Sequence, residues 1–574
     1  MLNWSLHRLW LLGVVWQAAS GQSGYLNMAP GVAYVGSKVC AGCHRRIYDD
    51  YVRSAMGRSM RPAGDAQDLA RVPGPVTIRN GNRFFEIRRQ GDELYESEYE
   101  PGPSQDPEFK TSYKLQYAVG SGVNGSTYIV RRGNYLFEAP LSFFARTRAW
   151  ELSPGYESGA PGFGRSIAAA CVVCHSGRSQ AIRGREGLFG DVPFPELAIG
   201  CENCHGPGAL HVRERGRANA GIQAMDRAIV NPARLPARLA GDICINCHQE
   251  GDARVLLPGR DYTDFRPGSA LGDTVAIFKI PLSPETAKLQ DLLEQQFAMQ
   301  LSKCFLESGG RLRCLTCHDP HAMPAPENAG DYYRRKCLAC HTESSCTLPR
   351  RQRLREAADH CARCHMPKRE VGVVAHSALT NHRIIARPDE PLPAEAFKQT
   401  TPDLPDLIFL NRNGARKLPK LTLLQAYGEL MGQAPRYRPR YLELLADLSH
   451  SQPDEPVVQA ALGRKAFLAS GPEANRQAIE HLSKAVRLGF TGSLVYENLA
   501  EALFREDRVP EAIEVLTKGI DLVPYAPRLQ KFLAACYINR KQYELARQVM
   551  KRYTELFPDD DFVRGLLRKV ESQP

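Results

Sequence analysis

The chain has 574 residues, too many for one core and enough for two to four domains. Hydrophobic residues make up 43% and charged residues 24%, which excludes a largely disordered chain; the net charge of +11 is not gathered in a tail or block, so it gives no ground for a nucleic-acid-binding arm. Seventeen Cys among 574 residues are too dilute for a small disulfide scaffold.

In chain order, Met1–Arg8 carries positive charge, Leu9–Trp16 is a short apolar run, and Ala18-Ala19-Ser20 offers small residues for cleavage. Residues 1–20 therefore read as a secretory signal peptide, and no other segment has the roughly 18 apolar residues needed to span a membrane. The mature protein is expected in the periplasm or secreted. Cys40-Ala-Gly-Cys43-His44 follows, then a helix predicted over Arg45–Met60. Residues 73–150 lack Cys and change character. Val76–Arg79 and Arg83–Ile87 flank Asn80-Gly81, a hairpin signal, and Tyr113–Val119, Ser126–Arg131 and Tyr135–Glu138 continue the strand-like pattern. A small antiparallel β insert is expected. Gly120-Ser-Gly122-Val-Asn-Gly125 matches a dinucleotide-binding fingerprint in letters only; it joins two strands and opens no helix, so it is a turn.

Residues 151–388 carry six more copies of Cys-x-x-Cys-His: Cys171/Cys174/His175, Cys201/Cys204/His205, Cys244/Cys247/His248, Cys314/Cys317/His318, Cys337/Cys340/His341 and Cys361/Cys364/His365. With the first copy, 14 of 17 Cys are used. This is the attachment signature of c-type haem. Two thiols about one turn apart each form a thioether to a vinyl group, and the next residue, His, sits under the iron. The x positions vary freely. Zinc also takes Cys-x-x-Cys, but zinc knuckles do not require a His after the second Cys every time. Seven covalent haems in residues 26–388 are the expectation, ahead of zinc or a disulfide framework. Intervening segments are Gly- and Pro-rich apart from a helix predicted over Thr286–Phe305, so porphyrin is expected to supply much of the core.

Six-coordinate haems need a ligand on the opposite face. Of 15 His, seven are in the motifs, His7 lies in the signal peptide, and His450 and His481 lie in a helical region without motifs. Five candidates remain: His211, His321 and His382, favoured as ligands, and His360 and His376. His321 follows His318 too closely to swing round the same macrocycle, so a neighbouring haem is its target; His360, adjacent to Cys361, is tied in the same way. Met can also fill a distal site. Met56, Met60 and Met299 are available, with Met56 the leading candidate. If one iron stays five-coordinate, it can bind a small ligand. Cys304 and Cys346 are candidates for a disulfide, and Cys536, in the apolar run Leu533–Tyr537, for a buried small hydrophobe.

Residues 389–418 are Pro-containing and read as a linker. Residues 419–570 repeat: Ala478, Ala512 and Ala546 are spaced by 34, as are Leu482, Leu516 and Met550, the pairs Leu499-Ala500 and Leu533-Ala534, and Pro524 and Pro558. That is the tetratricopeptide period, with Leu462-Gly463 opening an earlier repeat and Leu421–Ser451 a degenerate repeat or cap. Such an array docks protein or peptide, or braces the haem domain.

Taken together, the chain resembles a multihaem cytochrome c of the cytochrome c554-like group, in the subset fused to tetratricopeptide repeats. The resemblance rests on Cys40–Tyr48, Cys201–Gly208 with His211, Cys314–His321, and Cys361–Pro367 with Asn381-His382. It implies a haem-packed, mainly α and irregular domain, an all-α repeat solenoid, and electron transfer outside the cytoplasm between redox protein partners. In this group a His after the first motif often serves as distal ligand; Met56 stands there in this chain. Relatives include carriers and enzymes acting on small nitrogen compounds. The expected function is a seven-haem electron carrier. The alternative is an oxidoreductase for a small nitrogen or sulfur compound at one five-coordinate haem.

Overall fold

A computed structural model describes residues 24–101, 107–156, 162–217, 226–249, 251–284, 295–368, 380–414, 416–469, 471–558 and 560–572. The proposed signal peptide and His376 lie outside the described residues.

Nine strands form an antiparallel sheet: β1 (Met60–Pro62), β2 (Val76–Asn80), β3 (Arg83–Gln90), β4 (Glu93–Pro101), β5 (Pro107–Val119), β6 (Gly125–Arg132), β7 (Tyr135–Glu138), β8 (Leu141–Phe144) and β9 (Ala149–Leu152). Their order is β2-β3-β4-β5-β6-β8-β9, with β1 on β5 and β7 on β6. The hairpin expected at Asn80-Gly81 forms, with Asn80 opposite Arg83 and Gly81 at φ 62° opening the two-residue loop. Alternation sets the buried face: Phe85 and Ile87 on β3, Tyr128 and Val130 on β6, and Leu141 on β8 meet Trp150 in one core. Gly120–Gly125 is a turn from β5 to β6. The helix predicted to Met60 stops at Tyr51. There Ser54 accepts the Gly57 amide at 3.1 Å in a tight turn, and Met60 instead pairs with Val119 in the sheet.

Glu96, on β4, is wholly buried. Oε1 accepts the Leu141 amide at 2.9 Å; Oε2 has no partner among the described residues. Burial pushes this carboxyl well above the usual range, with Glu98 and Glu138 nearby adding to it and the Leu141 amide opposing it. The folded state thus holds a proton that the unfolded state loses at ordinary carboxylate pH. Stability falls as pH rises from about 4.5 toward the folded value. Glu96→Gln removes that loss. Thermal melts of the variant and the parent should agree at pH 4 and diverge at pH 8, with the variant the more stable; equal pH slopes would count against a buried acid.

Residues 389–418 are not the free linker that their Pro content suggests. Leu404, Leu407 and Ile408 are buried, and β12 (Ile408–Phe409) joins β10 (Ala253–Leu256) and β11 (Val275–Lys279) in a three-stranded sheet. The helix pair Lys420–Gln433 and Arg438–Ser451 packs on that same core through Leu424, Tyr427 and Leu445. Proline limits backbone freedom without preventing burial, and apolar side chains decide where the segment lies.

Three further pairs follow: Pro456–Leu468 with Pro472–Arg487, Ser493–Arg505 with Val509–Leu522, and Pro527–Asn539 with Tyr543–Leu556, closed by Asp561–Glu571. The 34-residue positions lie between the paired helices: Ala478, Ala512, Ala546, Leu482, Leu516 and Met550 are each at most 1% exposed. Pro524 and Pro558 sit in the turns that end the second helices. Cys536 is fully buried, and Cys304 and Cys346 are unpaired thiols, so the disulfide considered for them is not formed; Cys346 instead lies against the Arg353 guanidinium.

The array also touches the large sheet. Arg185 donates to the carbonyls of Asp521 (2.8 Å) and Leu522 (3.0 Å), and Arg132 to that of Leu556 (3.4 Å). These carbonyls end two repeat helices, where unpaired acceptors and the negative pole of the helix favour a cation. Tyr525 packs edge-on against Phe137 and Tyr135, with ring centres 4.7 and 5.0 Å away. Among the described residues, no helix is long and apolar enough to cross a membrane.

Candidate functional site

Motifs two to seven border one cavity that also meets Ser126 and Phe143 of the large sheet. Helices Cys201–His205, Cys314–Cys317 and Cys361–His365 start on the first Cys of motifs three, five and seven, and helix Ala237–His248 ends on the His of motif four. This cavity of about 1390 Å³ runs past residues of motifs two to seven, among them His175, His248, His318, His341 and His365. An ordinary small-molecule pocket holds roughly 300–1,000 Å³. Met56 and Met299 line it as well, while Met60 is core.

At motif six, Cys337 and His341 line the cavity, whereas Cys340 is exposed and lies off its wall. Helix Ala329–Leu338 carries Cys337 but ends two residues before Cys340, which falls in the following turn with its amide 3.1 Å from the Cys337 carbonyl. Cys171 of motif two is likewise exposed and off the wall, while Cys317 and Cys364 line it, the latter from an exposed position.

Three pairs of imidazoles face one another. His44 and His211 have ring centres 6.2 Å apart at 18° between planes; His205 and His321, 5.9 Å at 6°; His318 and His382, 6.2 Å at 33°. Each pair joins one motif His to one of the three favoured non-motif His. His321 meets His205, not its neighbour His318, and His211 meets His44, not His205. His360 is placed differently: its ring lies against Gly330, and Nε2 is 3.8 Å from Asp331. His450 and His481 bond within the repeat helices, to the Ala446 carbonyl and the Gln459 side chain.

The sequence near these rings explains their positions. Glu202, an x residue of the third motif, is buried and accepts the amides of Val35 (2.9 Å), Gly36 (2.7 Å) and Gly208 (2.7 Å). One carboxylate thus ties the approach to motif one, motif three and the turn into helix Ala209–Arg215, which carries His211. Its neighbour Asn203 accepts from Gly200 at 2.8 Å and donates to the Gly177 carbonyl at 2.9 Å. The x positions, which looked free, hold two motifs together; an acid beside a Cys was the only signal. His382 is fixed by Ser302, whose Oγ accepts the Ile384 amide at 2.9 Å, and by Asn381, which accepts the Arg383 amide at 2.8 Å. Ser302 is wholly buried between helices Gln295–Gln300 and Lys303–Glu307, so the single helix predicted over this stretch is broken there.

Ring nitrogens are oriented too. Nδ1 of His205 lies 2.7 Å from the Val230 carbonyl, of His365 2.6 Å from Ile385, and of His382 3.0 Å from Thr380. Such bonds leave Nε2 free to ligate. Burial pushes His205, His248, His318 and His382 down, favouring the neutral ring.

Thiols of different motifs also meet. A hydrogen bond between Cys40 and Cys201 holds Cys40 well above its usual range and brings Cys201 down to about 7. Cys244 and Cys314 behave alike, with Cys314 brought down to about 7. Cys247 bonds with Cys174, and Cys337 neighbours Cys361. Tyr333, on the helix leading to motif six, reaches Nδ1 of His318 at 3.3 Å. The motifs therefore form one contiguous set, with motif one beside three and motif four between two and five. Among the described residues, no three His, Cys, Asp or Glu side chains converge as a metal cluster.

Comparison with known proteins adds one family model, a tetratricopeptide repeat matching residues 503–570. The C-terminal region is a tetratricopeptide-repeat array. Solved structures similar to part of the chain include the first TPR domain of human RPAP3 (21% identity, 21% of this chain and 91% of that one, TM-score 0.19), the Arabidopsis OM64 TPR domain (14%, 21% and 96%, 0.19), and YrrB, a TPR protein with an unusual peptide-binding site (14%, 27% and 77%, 0.24). At these TM-scores the likeness carries no argument beyond the array itself. No curated protein matches the chain. Repeats of this class dock proteins or peptides.

Proposed function

We propose that this chain is an extracytoplasmic, seven-haem c-type cytochrome that carries electrons between redox proteins, with the repeat array as a docking element. The observation that carries the reading is the set of three imidazole pairs. A metal–imidazole bond is about 2 Å long, and each Nε2 lies ~1 Å from its ring centre, so two rings on one iron sit roughly 6 Å apart. Three pairs meet that spacing, each made from a motif His and a His outside any motif. The long cavity bounded by paired Cys supports the same reading.

Each thiol would add across a vinyl double bond, sulfur to one carbon and the proton to the other, leaving a thioether. The residues fitted to hold each haem are the two Cys of a motif and its His; His211, His321 and His382 fit as opposite ligands for motifs one, three and five. At motif six, Cys337 and His341 face the cavity, and Cys340 would have to turn inward from the surface to complete the attachment. Met56 is a candidate on the cavity wall, and His360 and His376 remain candidates for other irons. Bound haem supplies a one-electron iron couple. The chain holds rings in place through Nδ1 and keeps motifs adjacent so that electrons hop between neighbours. The basic chain offsets the propionates, since each ferric haem adds about −1.

A pyridine haemochrome assay on the purified exported protein should give about seven haems per chain. None would overturn the reading. Low-temperature EPR should show low-spin iron for the haems of motifs one, three and five.

A further inference from the structure

Five of the imidazoles in the motifs or paired with them have Nδ1 within hydrogen-bond reach of an identified partner. For His205, His365 and His382 it is a backbone carbonyl, and for His318 the Tyr333 hydroxyl. His211 alone meets a carboxylate: its Nδ1 is 2.9 Å from Oδ2 of Asp226. Two other imidazoles approach a carboxylate, His360 to Asp331 at 3.8 Å and His321 to Asp319 at 4.0 Å, and both distances are too long for a bond. Asp226 is itself held. Arg215 donates to the same Oδ2 through Nε (2.9 Å) and Nη2 (2.7 Å), and Oδ1 accepts the Ala228 amide at 2.9 Å. The carboxylate is not a passing surface group, because three donors fix its plane against the ring.

A carboxylate accepting Nδ1–H draws that proton from the imidazole and makes Nε2 a stronger electron donor. A more basic axial ligand favours ferric over ferrous iron and lowers the reduction potential. A carbonyl does this less, having no net charge. The Arg215 guanidinium opposes part of the effect. Motif one also lies at an edge of the set: its thiol contact is to motif three, and Cys43 and His44 are exposed.

We infer that Asp226, acting through His211, makes the haem carried by Cys40 and Cys43 the low-potential terminus of the chain of haems, placed to accept electrons from a low-potential one-electron donor. The inference rests on the proposed haem binding. Asp226 is a positioning and tuning residue and does not touch the iron.

The test is spectroelectrochemical titration and EPR of the full-length, haem-loaded protein and of Asp226→Asn. The expected result is an upward shift of the lowest midpoint potential, the other waves unmoved, with all haems retained and the shifted haem still low-spin. An unchanged titration overturns the inference. Conversion of that haem to high-spin also overturns it, because Asp226 would then merely hold His211 in place. Arg215→Gln gives an independent arm if the first variant fails to accumulate: the same potential should fall, and no change or a rise overturns the inference. Absence of covalent haem in the parent protein would instead sink the proposed function itself, and the haemochrome assay separates the two failures.

Discussion

On the proposed haem binding, His321→Ala should turn one haem high-spin, and that haem should be the one attached at Cys201 and Cys204. His321 sits three residues after His318, so a reading confined to sequence neighbours would assign the loss to motif five. The rings decide otherwise: His321 faces His205 at 5.9 Å, and His318 faces His382 at 6.2 Å. EPR of the variant should show one new high-spin signal, and His382→Ala should give a different one. The double variant should give both. If His321→Ala leaves every haem low-spin, crossed ligation is wrong at that site. Loss of an axial ligand opens a coordination position, so carbon monoxide should bind the reduced variant at one added site.

Leu482→Ala should cost the repeat array about 2–5 kcal/mol, the range for emptying a fully buried Leu site. Leu482 is 0% exposed. Its Cγ would lie 2.5 Å from a Cβ built on Gly463, across the Pro456–Leu468 and Pro472–Arg487 pair. Gly463→Ala should therefore overpack this contact, at about 1–3 kcal/mol. The double variant should cost less than the sum, because the new methyl enters the space that Leu482 vacates. Denaturant melts followed by far-UV circular dichroism would measure the cycle. Strict additivity would show that the two helices do not meet there.

The repeat array was legible because its signal is periodic. A 34-residue spacing of Ala, Leu and Pro follows from the helix-pair geometry itself, and those residues are the ones found buried. The strands around Asn80-Gly81 were legible for the same reason, since alternation and turn chemistry are local. What escaped was non-local. Residues 389–418 were judged on Pro content, while their place depends on Leu404, Leu407 and Ile408 meeting a sheet built more than a hundred residues earlier. Helix Arg45–Met60 was drawn too long because Met60 is claimed by Val119, a partner that periodicity does not display. The seven motifs look alike in sequence, yet Cys317 and Cys364 line the cavity while Cys171 and Cys340 lie off it, and the spacing of the motif carries no sign of that. Among candidate ligands, the residue types of His211, His321 and His382 were evident, and crossing was expected for His321. The partner of each, and the supporting roles of Glu202 and Asp226, depend on contacts across long sequence separations.

The clasp between Arg185, Arg132 and the ends of the repeat helices bears on kinetics. An array on a flexible tether would let a docked protein wander, and its local concentration near the haems would fall with tether length. Here the Leu556 carbonyl is bonded to Arg132 of the large sheet, and those of Asp521 and Leu522 to Arg185, which also reaches the Tyr135 hydroxyl on that sheet. A protein seated on the array is then presented at one distance and one orientation. On the proposed electron-transfer function, its encounter with the redox surface would be intramolecular, so a partner with weak affinity for that surface would exchange electrons quickly and still leave.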